Sequence, residues 1–262
     1  MPIVTFTTDF GAHDGYVGAL KGVVLSLAPQ ATLVDIAHGV PARDVAAGAV
    51  ALAQAAPLFP PGTIHVAVVD PGVGGARAEL IVAAGGSFFV GPDNGVLSLA
   101  ARPPRQIYRI EAASFRREPV SPTFHGRDVF APAAGRLATG ASAAEAGPAQ
   151  ESMVELGAPP LHRRDGVIEG EVIHVDGFGN LITSFPADVV ARMSPEATIE
   201  VEGGAGKFEP QLGRTFSDVE SGALIAYIGS GGQLEIARRD GSAAGRLGAE
   251  RGTIVRLRSP AS

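Results

Sequence analysis

Cysteine is absent from this 262-residue chain, so neither disulfides nor thiolate metal sites are available to it. Charged residues are sparse at 18%, and no run of Lys or Arg occurs anywhere. With a formal net charge of −6, the chain lacks the basic footprint of a nucleic-acid binder, although a negative protein can welcome a cationic ligand. No stretch approaches the roughly 18 uninterrupted apolar residues of a membrane span. Met1 leads straight into Ile3-Val4-Thr5-Phe6-Thr7, with no basic and apolar leader before it. These absences together lead us to expect a soluble, cytoplasmic protein. Catalytic signatures are missing too. There is no Gly-Lys-Ser/Thr phosphate-loop ending and no Gly-x-Ser-x-Gly elbow. His-x-x-x-His metal spacing is also absent.

What is present is 45% hydrophobic residues, 35 Gly and 20 Pro, enough for a full core and for two domains broken by frequent turns. The first part alternates strands and helices. Strands are expected at 3–8, 32–36, 63–69, 79–84, 87–91 and 107–110, with helices over 17–27, 44–56 and 128–138. The near-continuous apolar run Thr63 to Val69 reads as a strand buried on both faces. This is the pattern of a mostly parallel α/β sandwich domain. Residues 139–166 carry little periodicity. Beyond them come short strands at 167–175, 180–184, 198–202, 223–228, 233–238 and 253–258, the pattern of a smaller β-barrel domain. The expected division is 1–160 and 161–262.

In open α/β sheets, ligands collect beyond the carboxyl ends of the strands. Two of the best-formed strands end in Asp, at Asp9 and Asp70, so both carboxylates should share one rim. Asp70 opens the loop Asp70-Pro71-Gly72-Val73-Gly74-Gly75-Ala76-Arg77, whose glycines allow close backbone approach to a ligand. Taken alone, the same residues also suit an ordinary turn. Thr123-Phe124-His125-Gly126-Arg127-Asp128 packs reactive side chains just before a helix. Asp128 could serve there as a simple N-cap with His125 exposed beside it. In the second part, Asp176-Gly177-Phe178-Gly179-Asn180 suits a hairpin turn, with an aromatic able to stack on a base and an amide able to read its edge. Asp9, His13, Asp14, Asp70, His125 and Asp128 could supply oxygen and nitrogen ligands, but no local spacing supports a metal site.

These segments, together with Gly91-Pro92-Asp93-Asn94-Gly95 and Gly232-Gln233-Leu234-Glu235-Ile236-Ala237, occur in order over nearly the whole chain. In that combination the sequence resembles the S-adenosylmethionine hydrolase (hydroxide adenosyltransferase) family, with fluorinating and chlorinating enzymes as cousins. The resemblance implies an α/β N-terminal domain, a C-terminal β-barrel, and hydrolysis of S-adenosylmethionine to adenosine and methionine with no metal and no cofactor. It maps a catalytic set onto Asp70, Arg77 and His125. It places Asp9 on the ribose diol, a role that suits an acceptor-only carboxylate. Phe178, Asn180 and Phe216 fall around the adenine, while Asp14, Ser230 and Glu235 fall near the methionine end and the nucleoside. It further implies a homotrimer with active sites at subunit interfaces.

The halogenating cousins differ at three points: they carry Tyr at the place of Asp70, lack the His at 125, and line the halide pocket with hydroxyls near Gly126. This chain follows the hydrolase pattern at each. Tyr16 stands where fluorinating relatives have a Ser. The alternatives are a halide-using adenosyl transferase and a non-catalytic S-adenosylmethionine or adenosine binding protein. Retention of Asp70, Arg77 and His125 together argues against both.

Overall fold

The computed structural model describes residues 1–157, 161–193, 197–204 and 206–259. The chain divides into two compact units, Met1–Leu156 and Gly157–Ser262. The boundary expected at residue 160 falls on 158–160, outside the described residues.

The first unit begins with strand β1 (Ile3–Thr8), helix α1 (Tyr16–Leu27), β2 (Thr32–Ala37), α2 (Val45–Ala55) and β3 (Ile64–Val68). It continues with β4 (Glu79–Ala84), β5 (Ser87–Pro92), β6 (Arg105–Arg109), α3 (Ala131–Ala138) and β7 (Ala149–Gln150). Helix α1 places Leu20 and Val24 inward, four apart on one face, and it ends just before Pro29, which disfavours helix at the residue preceding it. Helix α2 starts where the Asp44 carboxylate accepts the Ala47 amide at 3.0 Å, satisfying an orphan donor of the first turn.

The sheet runs β2-β1-β3-β5-β4-β6-β7. Alternate side chains of its central strands point to opposite faces. Phe6, Val66, Val68, Ile81 and Val90 pack with α1 and α3. Ala67, Val69, Leu80, Val82 and Phe89 pack with Leu52 of α2. Helices therefore pack on both faces of this sheet.

The expectation of a mostly parallel sheet needs correction. The pairs β1–β2, β1–β3 and β3–β5 are parallel, but β4–β5, β4–β6 and β6–β7 are antiparallel. The cause is local. Only Gly85 and Gly86 separate β4 from β5, with φ of 57° and 79°, the left-handed pair of a tight hairpin. A parallel return would need a crossover of a dozen or so residues.

In the second unit lie β8 (His162–Arg164), β9 (Val167–Val175), β10 (Leu181–Pro186), α4 (Ala187–Ala191), β11 (Thr198–Gly203), β12 (Gly206–Phe208) and β13 (Gln211–Leu212). They are followed by β14 (Leu224–Ile228), β15 (Gln233–Arg238), α5 (Ala243–Leu247) and β16 (Ile254–Arg258). Its sheet runs β12-β11-β16-β9-β10-β15-β14-β13, with β8 on β9. Val172, Leu181, Val201, Ala226, Ile236 and Val255, from six of these strands, share one core, so the sheet curls around its concave face. Among the described residues no pairing joins β12 to β13, and the expected barrel takes the form of a curled, open sheet. The short elements β8, β12, β13, α4 and α5 carry too few residues for a readable period. Among the described residues, no helix is long and apolar enough to cross a membrane.

One buried group makes the first unit sensitive to acid. His65 on β3 is fully buried, with Nδ1 2.8 Å from the Thr5 hydroxyl and its ring stacked on Phe89 at 5.0 Å. Burial pushes its pKa down to about 4. Unfolded, the ring would titrate near 6.5, so between these values the unfolded chain holds a proton that the folded chain refuses. Stability should therefore be complete above pH 6.5 and fall by about 3 kcal/mol as the pH drops to 4. Urea unfolding across this window should show about 3 kcal/mol more acid loss in the wild type than in His65→Gln.

Candidate active site

The parallel register pairs Thr8 of β1 with Val68 of β3, so the chain leaves both strands side by side at one rim. Asp9 follows the first strand directly and Asp70 follows the second after one residue. Both carboxylates line a cavity of about 440 Å³, together with Tyr16, Phe124 and His125 among others. The other side of the cavity is the segment 121–127, which leads into α3.

Asp9 is held from its far side, where its Oδ2 accepts the Arg43 amide at 2.8 Å. Arg43 has a φ of 68°, a left-handed backbone that is costly without glycine. Asp14, by contrast, is exposed in the turn before α1 and does not line this cavity.

Behind the cavity, Arg77 organises the cluster. Its Nε donates to Asp70 Oδ1 at 3.0 Å and its Nη2 to Asp70 Oδ2 at 2.5 Å, a two-pronged pairing that fixes the carboxylate plane. Its Nη1 donates to Glu79 Oε1 at 2.9 Å. The same Nη2 lies 2.9 Å from His125 Nδ1, and the guanidinium sits 5.6 Å over the Phe130 ring. Glu79 in turn meets Arg116 at 3.3 Å. The fold thus brings together Asp70, Arg77 and His125, the three residues that the resemblance grouped. The sequence reading missed Glu79 and Arg116. One signal was available for Glu79, since residues 77 and 79 of an extended chain point the same way.

His125 is 8% exposed, so the reading of an idle surface histidine does not hold. Burial lowers its pKa first, and the Arg77 charge lowers it further against the opposing pull of Glu79 and Asp70. The balance favours the neutral ring. The expected helix start at Asp128 also changes. Gly126–Phe130 form a π-helical turn running into α3, an irregularity often found at functional sites. Asp128 is fully buried and is not an N-cap. It takes the Arg127 fork at 2.7 and 2.6 Å and the Ser121 amide at 2.9 Å, clamping the segment that carries His125.

Three aromatic rings beside the cavity also escaped the sequence reading as a group. Phe10, Tyr16 and Phe124 meet edge to face, with centroids 5.3 to 6.1 Å apart. Among the described residues, no group of three or more His, Asp or Glu side chains is arranged to hold a metal ion.

In the second unit, the Asp176 carboxylate accepts the Phe178 and Asn180 amides and the Asn180 Nδ2, each at 2.9 Å. This fixes a turn that leaves Phe178 83% exposed and Asn180 buried. Phe216 is half-exposed, with its ring 5.4 Å from Tyr227. Tyr227 donates to Glu235 Oε2 at 3.1 Å. Burial raises the Glu235 pKa, the nearby Asp176 charge adds to this, and the Tyr227 hydrogen bond opposes it. Ser230 is exposed in the turn between β14 and β15.

With this geometry in place, the comparisons with known proteins are specific. The pattern of the SAM hydroxide adenosyltransferase N-terminal domain matches residues 4–147, and that of the C-terminal domain of the same name matches residues 170–256. The chain belongs to this family. A Thermus thermophilus protein named (R)-S-adenosyl-L-methionine hydrolase is 43% identical over 97% of this chain and 98% of its own. A Salinispora tropica protein of the same name is 40% identical over 98% and 97%. A solved Thermotoga maritima structure superposes with a TM-score of 0.88 at 32% identity, over 97% of this chain and 99% of that one. Fluorinases are more distant, at 28% identity for that of Nocardia brasiliensis over 98% of this chain and 97% of its own.

The two site loops touch at one glycine. Gly74 has a φ of 75°, and a Cβ there would lie 2.3 Å from the Pro122 carbonyl oxygen, an impossible contact in an unfavourable backbone region. Gly74→Ala should therefore spread the Asp70 loop from the His125 segment. The expected cost is about 1–3 kcal/mol of stability by denaturant unfolding, with separated loops visible in a crystal structure of the variant.

Proposed function

We propose that this protein hydrolyses S-adenosylmethionine to adenosine and methionine by attack of water at ribose C5′, in the cytoplasm and with no cofactor. The observation that carries this reading is the Asp70–Arg77–His125 cluster beside Asp9 on one sheet rim, in a chain whose full-length relatives are named for that reaction.

The substrate's positive sulfur supplies its own leaving group. The water oxygen bonds to C5′, the C5′–S bond breaks with its electron pair going to sulfur, and methionine leaves as a neutral thioether. Its departure needs no general acid. The reaction does require a water held in line with the C5′–S bond, and holding it there is worth several kcal/mol. Asp9 grips the ribose hydroxyls, with Arg43 fixing the carboxylate from behind. Asp70, oriented by Arg77, aims the water. His125, in its neutral form, takes its proton. The rings of Phe10, Tyr16 and Phe124 shed water from a step in which hydroxide-like charge meets a cation.

We further assign the groups on the second unit to the nucleoside. Phe178 and Phe216 offer exposed faces to the adenine, Asn180 reads its edge, and Glu235 and Ser230 lie nearby, with Asp14 assigned to the methionine end. The assembly is a homotrimer in which these groups serve a site on a neighbouring subunit.

Incubation with S-adenosylmethionine in 18O-water should yield methionine and adenosine labelled at the 5′ oxygen, with or without EDTA. Methylthioadenosine, S-adenosylhomocysteine or, in chloride, mainly 5′-chloroadenosine would overturn the assignment. Asp70→Asn should cut kcat by about 100-fold or more while changing KM by less than about three-fold. For the assembly, Asp70→Ala and Asn180→Ala subunits unfolded together and refolded should regain about a quarter of the activity. Mixed trimers without any recovery would refute shared sites.

A further inference from the structure

Nδ1 of His125 has two suitors, the Arg77 Nη2 donor at 2.9 Å and the Glu79 Oε1 acceptor at 3.2 Å. A neutral imidazole carries one hydrogen and can satisfy only one of them. If Nδ1 accepts from Arg77, the hydrogen sits on Nε2, and that nitrogen can only donate. If Nδ1 donates to Glu79, Nε2 is bare and free to accept. A proton taken from water therefore requires the second arrangement.

We propose that Glu79 is a positioning residue that draws the His125 hydrogen onto Nδ1, leaving Nε2 as the proton acceptor, and then holds the imidazolium that forms. The inference rests on the reading above, in which His125 receives the water proton. As the O–C5′ bond forms and the C5′–S bond breaks, that proton passes to Nε2, and the Nδ1–H remains on Glu79 Oε1.

Glu79 is built for this task. Its backbone is fixed at the start of β4, where its carbonyl accepts the Ile110 amide at 2.8 Å. Its side chain is 16% exposed. Oε1 faces Arg77 and His125, and Oε2 faces Arg116, which is itself anchored to the Ile110 carbonyl. The charged groups acting on His125 are Asp70 and Arg77 from the loop after β3, Glu79 from β4 and Arg116 from the segment before the His125 loop. Asp9 lines the same cavity, and Arg127 is turned onto Asp128. The two acids near the ring favour the imidazolium and the two guanidinium groups oppose it, so deleting one or the other must move the ring in opposite directions.

The test follows the His125 ring by NMR titration in the full-length protein without substrate, alongside kcat against pH with S-adenosylmethionine. Glu79→Gln should lower the His125 titration by about one unit and cut kcat by about ten-fold or more, with KM changed less than about three-fold. Arg116→Gln should raise the titration, and Glu79→Asp should restore part of kcat. Shifts of the same sign in Glu79→Gln and Arg116→Gln would overturn the proposal, as would wild-type titration and kcat in Glu79→Gln. If Glu79→Gln does not fold, an unmoved titration in Arg116→Gln overturns it alone. A wild type that never turns over S-adenosylmethionine would sink the functional reading, while the titrations would still decide the role of Glu79.

Discussion

The first unit is organised around one guanidinium. Arg77 holds Asp70 with two of its nitrogens and Glu79 with the third, and the nitrogen nearest Asp70 also lies 2.9 Å from His125 Nδ1. Its side chain is only 9% exposed, so its charge has little water to fall back on. A buried cation of this kind is tolerable only when fully partnered, and deleting one partner leaves an uncompensated charge. The cluster is also close to electrically balanced, with Asp70 and Glu79 set against Arg77 and Arg116. These contacts tie four parts of the chain together: the loop after β3, the start of β4, the segment carrying Arg116, and His125 just before the π-helical turn. None of them can shift without disturbing the others.

Much of this was legible in the sequence, because it depended on local pattern. The Asp residues at the ends of β1 and β3 could be assigned to one rim because parallel neighbours end on the same side. The long strands of the second unit were readable from apolar, β-branched runs between turns. The mixed character of the first sheet was written in Gly85-Gly86, a two-residue link that permits only a hairpin, but strand identity alone does not reveal strand direction. Glu79 and Arg116 stayed hidden for a different reason. They are joined by an ion pair spanning 37 residues, and nothing local marks two charges that far apart as partners. Asp128 was misread because a carboxylate before a helix suits a cap as well as a buried clamp. Only the fold, which leaves Asp128 no exposed surface, separates the two roles.

The second unit shows a different economy. Its core is drawn from one face of a curled sheet, and the groups assigned to the nucleoside sit in turns outside that core, except Glu235, which lies within β15. The Asp176 carboxylate holds three N–H groups of its own turn. The turn is therefore held by hydrogen bonds that do not involve the exposed Phe178 ring.

The wide chain separation of the cluster has a consequence for when the site comes into being. Arg77 and His125 are 48 residues apart, and Asp9 and Arg43 are 34 apart. Contacts of such span are entropically late, because long loops must close before any reward arrives. Asp70, Arg77 and Glu79 lie within ten residues of one another, so their contacts close at little loop cost. His125 arrives only when the 121–128 segment docks and α3 settles. The four-group cluster is thus complete only once that last segment has docked.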